Sequence, residues 1–173
     1  MTEKLAAVAR RVAMAAARGI VRAVGDASGL QTVRISLMED EVKDGVERVQ
    51  EYGFSSHPLP GADCVAIFIG GNRDHGVVIA TDDRTHRPGG LQAGDVAIYD
   101  HRGNRVLLGS TGIEVTAPVK VTVTAPEVEI DSDVTITGDT TVIGDMVADG
   151  ISLRNHVHPE NDGGGPTDPP VQE

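Results

Sequence analysis

The chain has 173 residues, with 15 basic and 26 acidic side chains for a net charge of −11, and its only aromatic residues are two Tyr and two Phe. An acidic surplus repels a phosphate backbone, and so few rings leave no stacking platform for single strands, so nucleic acid is excluded as a partner. The single cysteine, Cys64, excludes an intrachain disulfide framework and a cysteine-built zinc site.

Residues 1–22 carry five basic groups against Glu3, so the acidic surplus belongs wholly to the rest of the chain. This opening is Ala-rich, with Leu5, Val8 and Val12 at helical spacing and Thr2 in the position of an N-cap, which predicts a short amphipathic helix over residues 1–18 ending at Gly19. Arg10 and Arg11 interrupt the stretch where a signal peptide needs its apolar centre, so the chain is expected to stay in the compartment where it is made. A helix this short is marginal alone. Its mostly alanine apolar face lacks the Trp or Phe of a membrane-surface helix and favours docking onto a larger partner or onto its own domain.

From Gly19 to Asp95 the pattern changes to short strands. Ile20–Val24, the turn Gly25-Asp26-Ala27-Ser28-Gly29 and the alternation of Val33, Ile35 and Leu37 form a hairpin signature. The charged stretch Glu39–Glu51 comes next, then a turn-rich segment to Asp63, the apolar run Cys64–Ile69, a Gly-rich turn, and the strand Val77–Ala80. About five short strands in this span predict a small barrel of the OB kind over residues 19–95. Within the apolar run, Cys64 reads as a buried, inert thiol.

Beyond Gly94 the apolar residues recur with period two: Val96 and Ile98, Val106 and Leu108, Ile113 through Val123, Val128 and Ile130, Val134 and Ile136. The parity slips by one at Gly109–Gly112, at Ala125-Pro126-Glu127 and at Asp149-Gly150, so the chain must turn or bulge there to keep one face inward. One chain has nothing to cover that face, and it is too short for a single-chain solenoid. Association of identical chains around an axis solves both problems: an obligate homotrimer with a triple-stranded β-helical stem over 96–154, whose narrow core suits Val, Ile and Thr.

Asn155-His156-Val157-His158-Pro159 stands where the alternation ends, opening an apex and tail over 155–173. In an extended strand residues i and i+2 face the same way, so both imidazoles address one side. Two nitrogens from each of three chains make six, an octahedral shell that suits iron, nickel or a similar first-row ion, whereas zinc sites usually stop at four. A filled shell is structural. The competing reading is two surface histidines at a fraying end. His75 is a turn histidine, satisfied by Asp74 or by backbone. His57, His86 and His101 lie in loops without a nucleophile pattern, and Asp82-Asp83 and Asp131-Ser132-Asp133 read as solvated carboxylates.

The stretches Tyr52–Ala62, Gly70-Gly71-Asn72-Arg73-Asp74-His75-Gly76-Val77-Val78, Asp82-Asp83-Arg84, Arg87-Pro88 and Gly94–Tyr99 resemble the phage Mu-type baseplate spike family, also called baseplate assembly protein V. The resemblance runs from Gly19 to the His-x-His. It implies a trimeric, non-enzymatic, membrane-piercing spike in the tail baseplate of the virion, made in the host cytoplasm. It further implies an OB-fold domain that docks to the baseplate hub, transient contact with the host outer membrane, and one iron ion per trimer held by His156 and His158 of each chain. No lysozyme-like segment accompanies these motifs, and the tail from Pro159 either folds back around the apex or stays disordered. The alternative reading is a trimeric receptor-binding fibre or adhesin without a piercing role.

Overall fold

The computed structural model describes residues 3–27, 29–38, 41–159 and 163–168. Thr2, Ser28, Glu39, Asp40 and the tail residues 160–162 and 169–173 lie outside the described residues, and with them the proposed N-cap and part of the first hairpin turn. The chain forms two compact units, Met1–Thr122 and Val123–Glu173.

In the first unit, helix α1 (Glu3–Ala13) precedes strands β1 (Ala16–Gly25), β2 (Thr32–Met38), β3 (Glu41–Arg48), β4 (Asp63–Phe68) and β5 (Gly76–Asp82), which close into a barrel in the order β1-β2-β3-β5-β4. This is the mainly β fold with an OB-type barrel that the strand spacing predicts. The expected β1–β2 hairpin is present, with Val24 paired to Val33 and a bulge between Val21 and Ala23. Closure comes from the parallel pairing of Glu47 with Val77 and Arg48 with Val78. A closed barrel has no exposed ladder to template aggregation, which matters for so small a core.

Two expectations change. The helix stops at Ala13, five residues before the expected end, because Ala16–Ile20 pairs antiparallel with β4 from Ile67 back to Asp63. Alanines with no buried helical face gain more from that ladder than from another helical turn. The charged stretch Glu41–Arg48 is a strand, and within it only Val46 and Arg48 are buried. Val46 lines the core with Val21, Val33, Ile35, Ala62, Cys64, Ala66, Phe68 and Val78. In β4 the alternation sends Cys64, Ala66 and Phe68 inward, and burial pushes the Cys64 thiol up, in keeping with an inert core cysteine.

Arg48 enters the barrel and, among the described residues, forms no salt bridge, although Asp26 attracts its charge. Its guanidinium donates to Gln31 Oε1 at 2.6 Å, to the Ser56 carbonyl at 2.8 Å, to Ser56 Oγ at 2.9 Å and to Thr81 Oγ1 at 3.0 Å. Burial lowers its pKa, and these neutral acceptors replace the water it has lost. They tie the segment around Ser56 to the barrel wall, so this part of the motif Tyr52–Ala62 serves architecture.

The Gly-rich turn has a similar explanation. Gly71 sits at φ 73°, and a Cβ there would come within 2.5 Å of the Arg11 carbonyl oxygen, so α1 rests on bare backbone. Leu5, Val8 and Val12 on the helix are all more than half exposed. Gly71→Val is expected to combine left-handed strain of ~1–3 kcal/mol with a direct clash and to undock α1. Hydrogen exchange should then show protection lost over residues 5–13 with β2 and β3 little changed; equal loss in both would contradict a local docking role.

Still in the first unit, β6 (Val96–Tyr99), β7 (Arg105–Gly109) and β8 (Gly112–Thr116) form an antiparallel sheet in that order. The parity slip at Gly109–Gly112 is the β7–β8 turn, where these two glycines pair. In the second unit, the slip at Asp149-Gly150 is the turn between β9 (Val147–Ala148) and β10 (Ile151–Ser152). Asp149 takes φ 48° and Gly150 φ 80°, the left-handed pair that a two-residue hairpin turn needs. Between Thr116 and Val147 the alternating sequence enters no strand ladder within one chain. Its large apolar side chains stand in the open, from Met146 at 46 % exposure to the fully exposed Ile143.

Candidate metal centre

The last described turns of the second unit place His156 and His158 together, with ring centroids 5.1 Å apart and planes at 87°. His156 is half-buried and His158 exposed. The chain reaches them through Leu153-Arg154-Asn155, a turn in which the Leu153 N–H donates to the Met146 carbonyl at 2.7 Å and the His156 N–H to the Ser152 carbonyl at 3.1 Å.

The ring of His156 faces two backbone carbonyls. Its Nδ1 lies 3.1 Å from the Ser152 carbonyl oxygen and 3.0 Å from that of Leu153. Carbonyl oxygens only accept, so these contacts suit a ring with its hydrogen on Nδ1, and in the neutral ring that tautomer leaves the Nε2 lone pair free. Backbone oxygens commonly fix a metal-ligating histidine in this tautomer. His158 is held through its main chain: its N–H donates to Thr167 Oγ1 at 2.9 Å, and the Thr167 N–H returns to the His158 carbonyl at 2.9 Å. Of the two fates open to the tail, its described part folds back onto the apex.

Among the described residues of one chain, no group of three or more His, Cys, Asp or Glu side chains is arranged to hold a metal ion. One chain contributes two imidazoles here, fewer than any closed shell requires. The donor set fits a borderline first-row ion, since imidazole nitrogen suits iron, nickel, copper and zinc, whereas magnesium and calcium call for oxygen.

The other singled-out histidines lie elsewhere. His57, His86 and His101 line one groove of about 630 Å³ in the first unit. There His86 Nδ1 is 2.7 Å from Asp83 Oδ2, and its ring meets His101 edge-on at 5.9 Å. Asp83 Oδ1 also accepts the Thr85 and His86 N–H groups, so this carboxylate caps a turn. Its hydrogen bond with the His86 ring is the main cause holding it below the usual carboxylate range. The His75 main chain bonds Asn72 and Ile69, while Asp74 goes to Lys43 at 2.9 Å. Sequence reasoning missed two groups at the apex, Asp145 and Thr167. Neither is near the histidines in sequence, and no spacing rule points to them.

Along the chain a small closed barrel is followed by an alternating run that enters no strand ladder and by a paired-histidine turn, an order of parts shared with the baseplate spike class that the sequence motifs resemble. The N-terminal model of the Bacteriophage Mu Gp45 family matches residues 18–85. The chain is 35 % identical to the "Baseplate puncturing device gp45" of Escherichia phage Mu, over 92 % of this chain and 90 % of that protein. It is 33 % identical to the "Mu-like prophage FluMu protein gp45" of Haemophilus influenzae, over 92 % of this chain and 94 % of the relative. The chain belongs to the Mu Gp45 family of baseplate spikes.

Proposed function

We propose that three copies of this chain form the central spike of a contractile tail, and that contraction drives it mechanically, without enzymatic action, through the host outer membrane. Its place is the tail baseplate of the virion, in line with the name of the phage Mu relative. That name speaks of puncturing, which favours piercing over a receptor-binding fibre or adhesin.

The observation that carries this reading is the segment from Ala117 to Met146. It alternates apolar and polar residues, enters no strand ladder in its own chain, and leaves Val121, Val123, Ile130 and Ile136 at least 60 % exposed. Each Val or Ile buried against two partner chains contributes roughly 1.5–3 kcal/mol, and inter-chain ladders satisfy the backbone. In this reading the stem spans 96–154, with the intertwined part after Thr116. Small β-branched side chains fill a core too narrow for rings. The basic, amphipathic N-terminal segment faces the baseplate hub, and the acidic stem limits sticking to an anionic envelope.

At the apex, His156 and His158 of each chain hold one iron ion, six nitrogens in all. When bound, the ion cross-links three chains where their strands end and leaves no position for a substrate. The residues themselves do the positioning: the Ser152 and Leu153 carbonyls orient His156, and Thr167 orients the His158 backbone. Native mass spectrometry with metal analysis on the full-length protein tests the proposal. Three chains and one iron per particle is the expected result, and a monomer at neutral pH overturns it.

A further inference from the structure

Asp145 lies eleven residues before His156, yet it closes the turn that presents that histidine. Its Oδ2 accepts the Ser152 hydroxyl at 2.6 Å and its Oδ1 accepts the Arg154 N–H at 3.1 Å. With its proton given to Asp145, the Ser152 oxygen accepts the Asn155 N–H at 2.9 Å and the Asn155 Nδ2–H at 3.1 Å. A hydroxyl offers one donor and two acceptor positions, and all three are used. The carboxylate therefore sets which way Ser152 points. Ser152 in turn holds Asn155 so that the carbonyls of residues 152 and 153 converge on His156 Nδ1. Networks in which each member is satisfied hold one geometry, while a half-satisfied one relaxes into several.

We propose that Asp145, acting through Ser152, is the positioning residue that fixes His156 in its Nδ1–H tautomer with Nε2 free to ligate. Neither residue is among the proposed ligands. The inference rests on the reading of the apex as a metal site for its consequence, though its tautomer arm does not need a metal at all. Outer partners that orient a ligating histidine are typically worth about 10–100-fold in metal affinity. Asp145→Ala removes both acceptors. Asp145→Asn keeps one acceptor oxygen and is expected to fall between Asp145→Ala and the parent protein.

The test uses the full-length protein stripped by chelator, with Fe²⁺ as the added probe. Long-range ¹H–¹⁵N correlation spectra report the His156 tautomer before Fe²⁺ is added, and titration then reports affinity. The expected result is a single Nδ1–H form in the parent protein, a mixture of tautomers in Asp145→Ala, and Fe²⁺ binding weakened about 10–100-fold. A parent protein that binds no Fe²⁺ refutes the metal reading, while the tautomer spectra still judge Asp145. An Asp145→Ala protein with the parental tautomer overturns the inference, as does parental Fe²⁺ affinity. If Asp145→Ala does not assemble, Asp145→Asn and Ser152→Ala carry the same comparison: an altered tautomer in both supports the proposal, and an unaltered one overturns it.

Discussion

On the proposed reading of the apex, full-length protein carrying His156→Ala and His158→Ala together is expected to fall from one iron ion per three chains to background. The reason is stoichiometric. Three chains that each lose both imidazoles retain no ligating nitrogen at the apex, since the Arg154 guanidinium is a cation and the Asn155 amide nitrogen has no free lone pair, and the described neighbours Ser152, Leu153 and Thr167 offer oxygens that suit harder cations. The single variants should differ from the double, because each still leaves three imidazoles per trimer and therefore weaker, exchangeable binding. A ligand present at a thousand times its dissociation constant stabilises a fold by about 4 kcal/mol, and the double variant forfeits whatever share of this the apex holds. Hydrogen exchange should show that loss around residues 145–158, with the barrel unaffected. Iron content equal to that of the parent protein would remove these two histidines from the metal site.

Phe68→Ala is expected to produce the largest loss of stability in the barrel, about 3–5 kcal/mol. Phe68 is 1 % exposed and is the largest fully buried side chain. One edge of its ring approaches Gly76 so closely that a Cβ there would lie 2.8 Å away, and the guanidinium of Arg73 sits 4.3 Å from its centre. Arg73 is itself held by Glu41, at 3.1 and 2.6 Å. The buried core around it is Val, Ala and Cys with one Ile, small side chains that can fill little of the space. The variant also forfeits the cation–π contact. Urea unfolding of the full-length protein, followed by exchange of the β2–β4 amides, measures the effect. A loss below about 1 kcal/mol would mean that the barrel collapses around the hole and that Phe68 is not its keystone.

The resemblance and the candidate site draw on different residues. The family motifs fall in the barrel strands, in the loops around them and in β6, and the structure explains several of their residues as architecture. Gly71 admits the end of α1, Gly76 admits the Phe68 ring, and Ser56 accepts Arg48. They identify the chain without marking a site. The histidine pair, by contrast, is only two residues in a short sequence, and it gains meaning from its place at the end of the alternation.

Sequence alone determined the β class, the hairpin of β1 and β2, the inward run from Cys64 to Phe68, the two hairpin turns hidden in the parity slips, and the position of the paired histidines. These are legible because side-chain period and turn chemistry are local properties. Tertiary structure decided the rest. It made Ala16–Arg18 a strand, because β4 offered a ladder that an alanine helix lacked. It turned the charged stretch Glu41–Arg48 into the strand that closes the barrel on β5, and it buried Arg48 among neutral acceptors. It also brought Asp145 to Ser152 and Thr167 to His158 at the apex. Each of these depends on which distant backbone or side chain is available as a partner, a property of the folded path that no local spacing encodes.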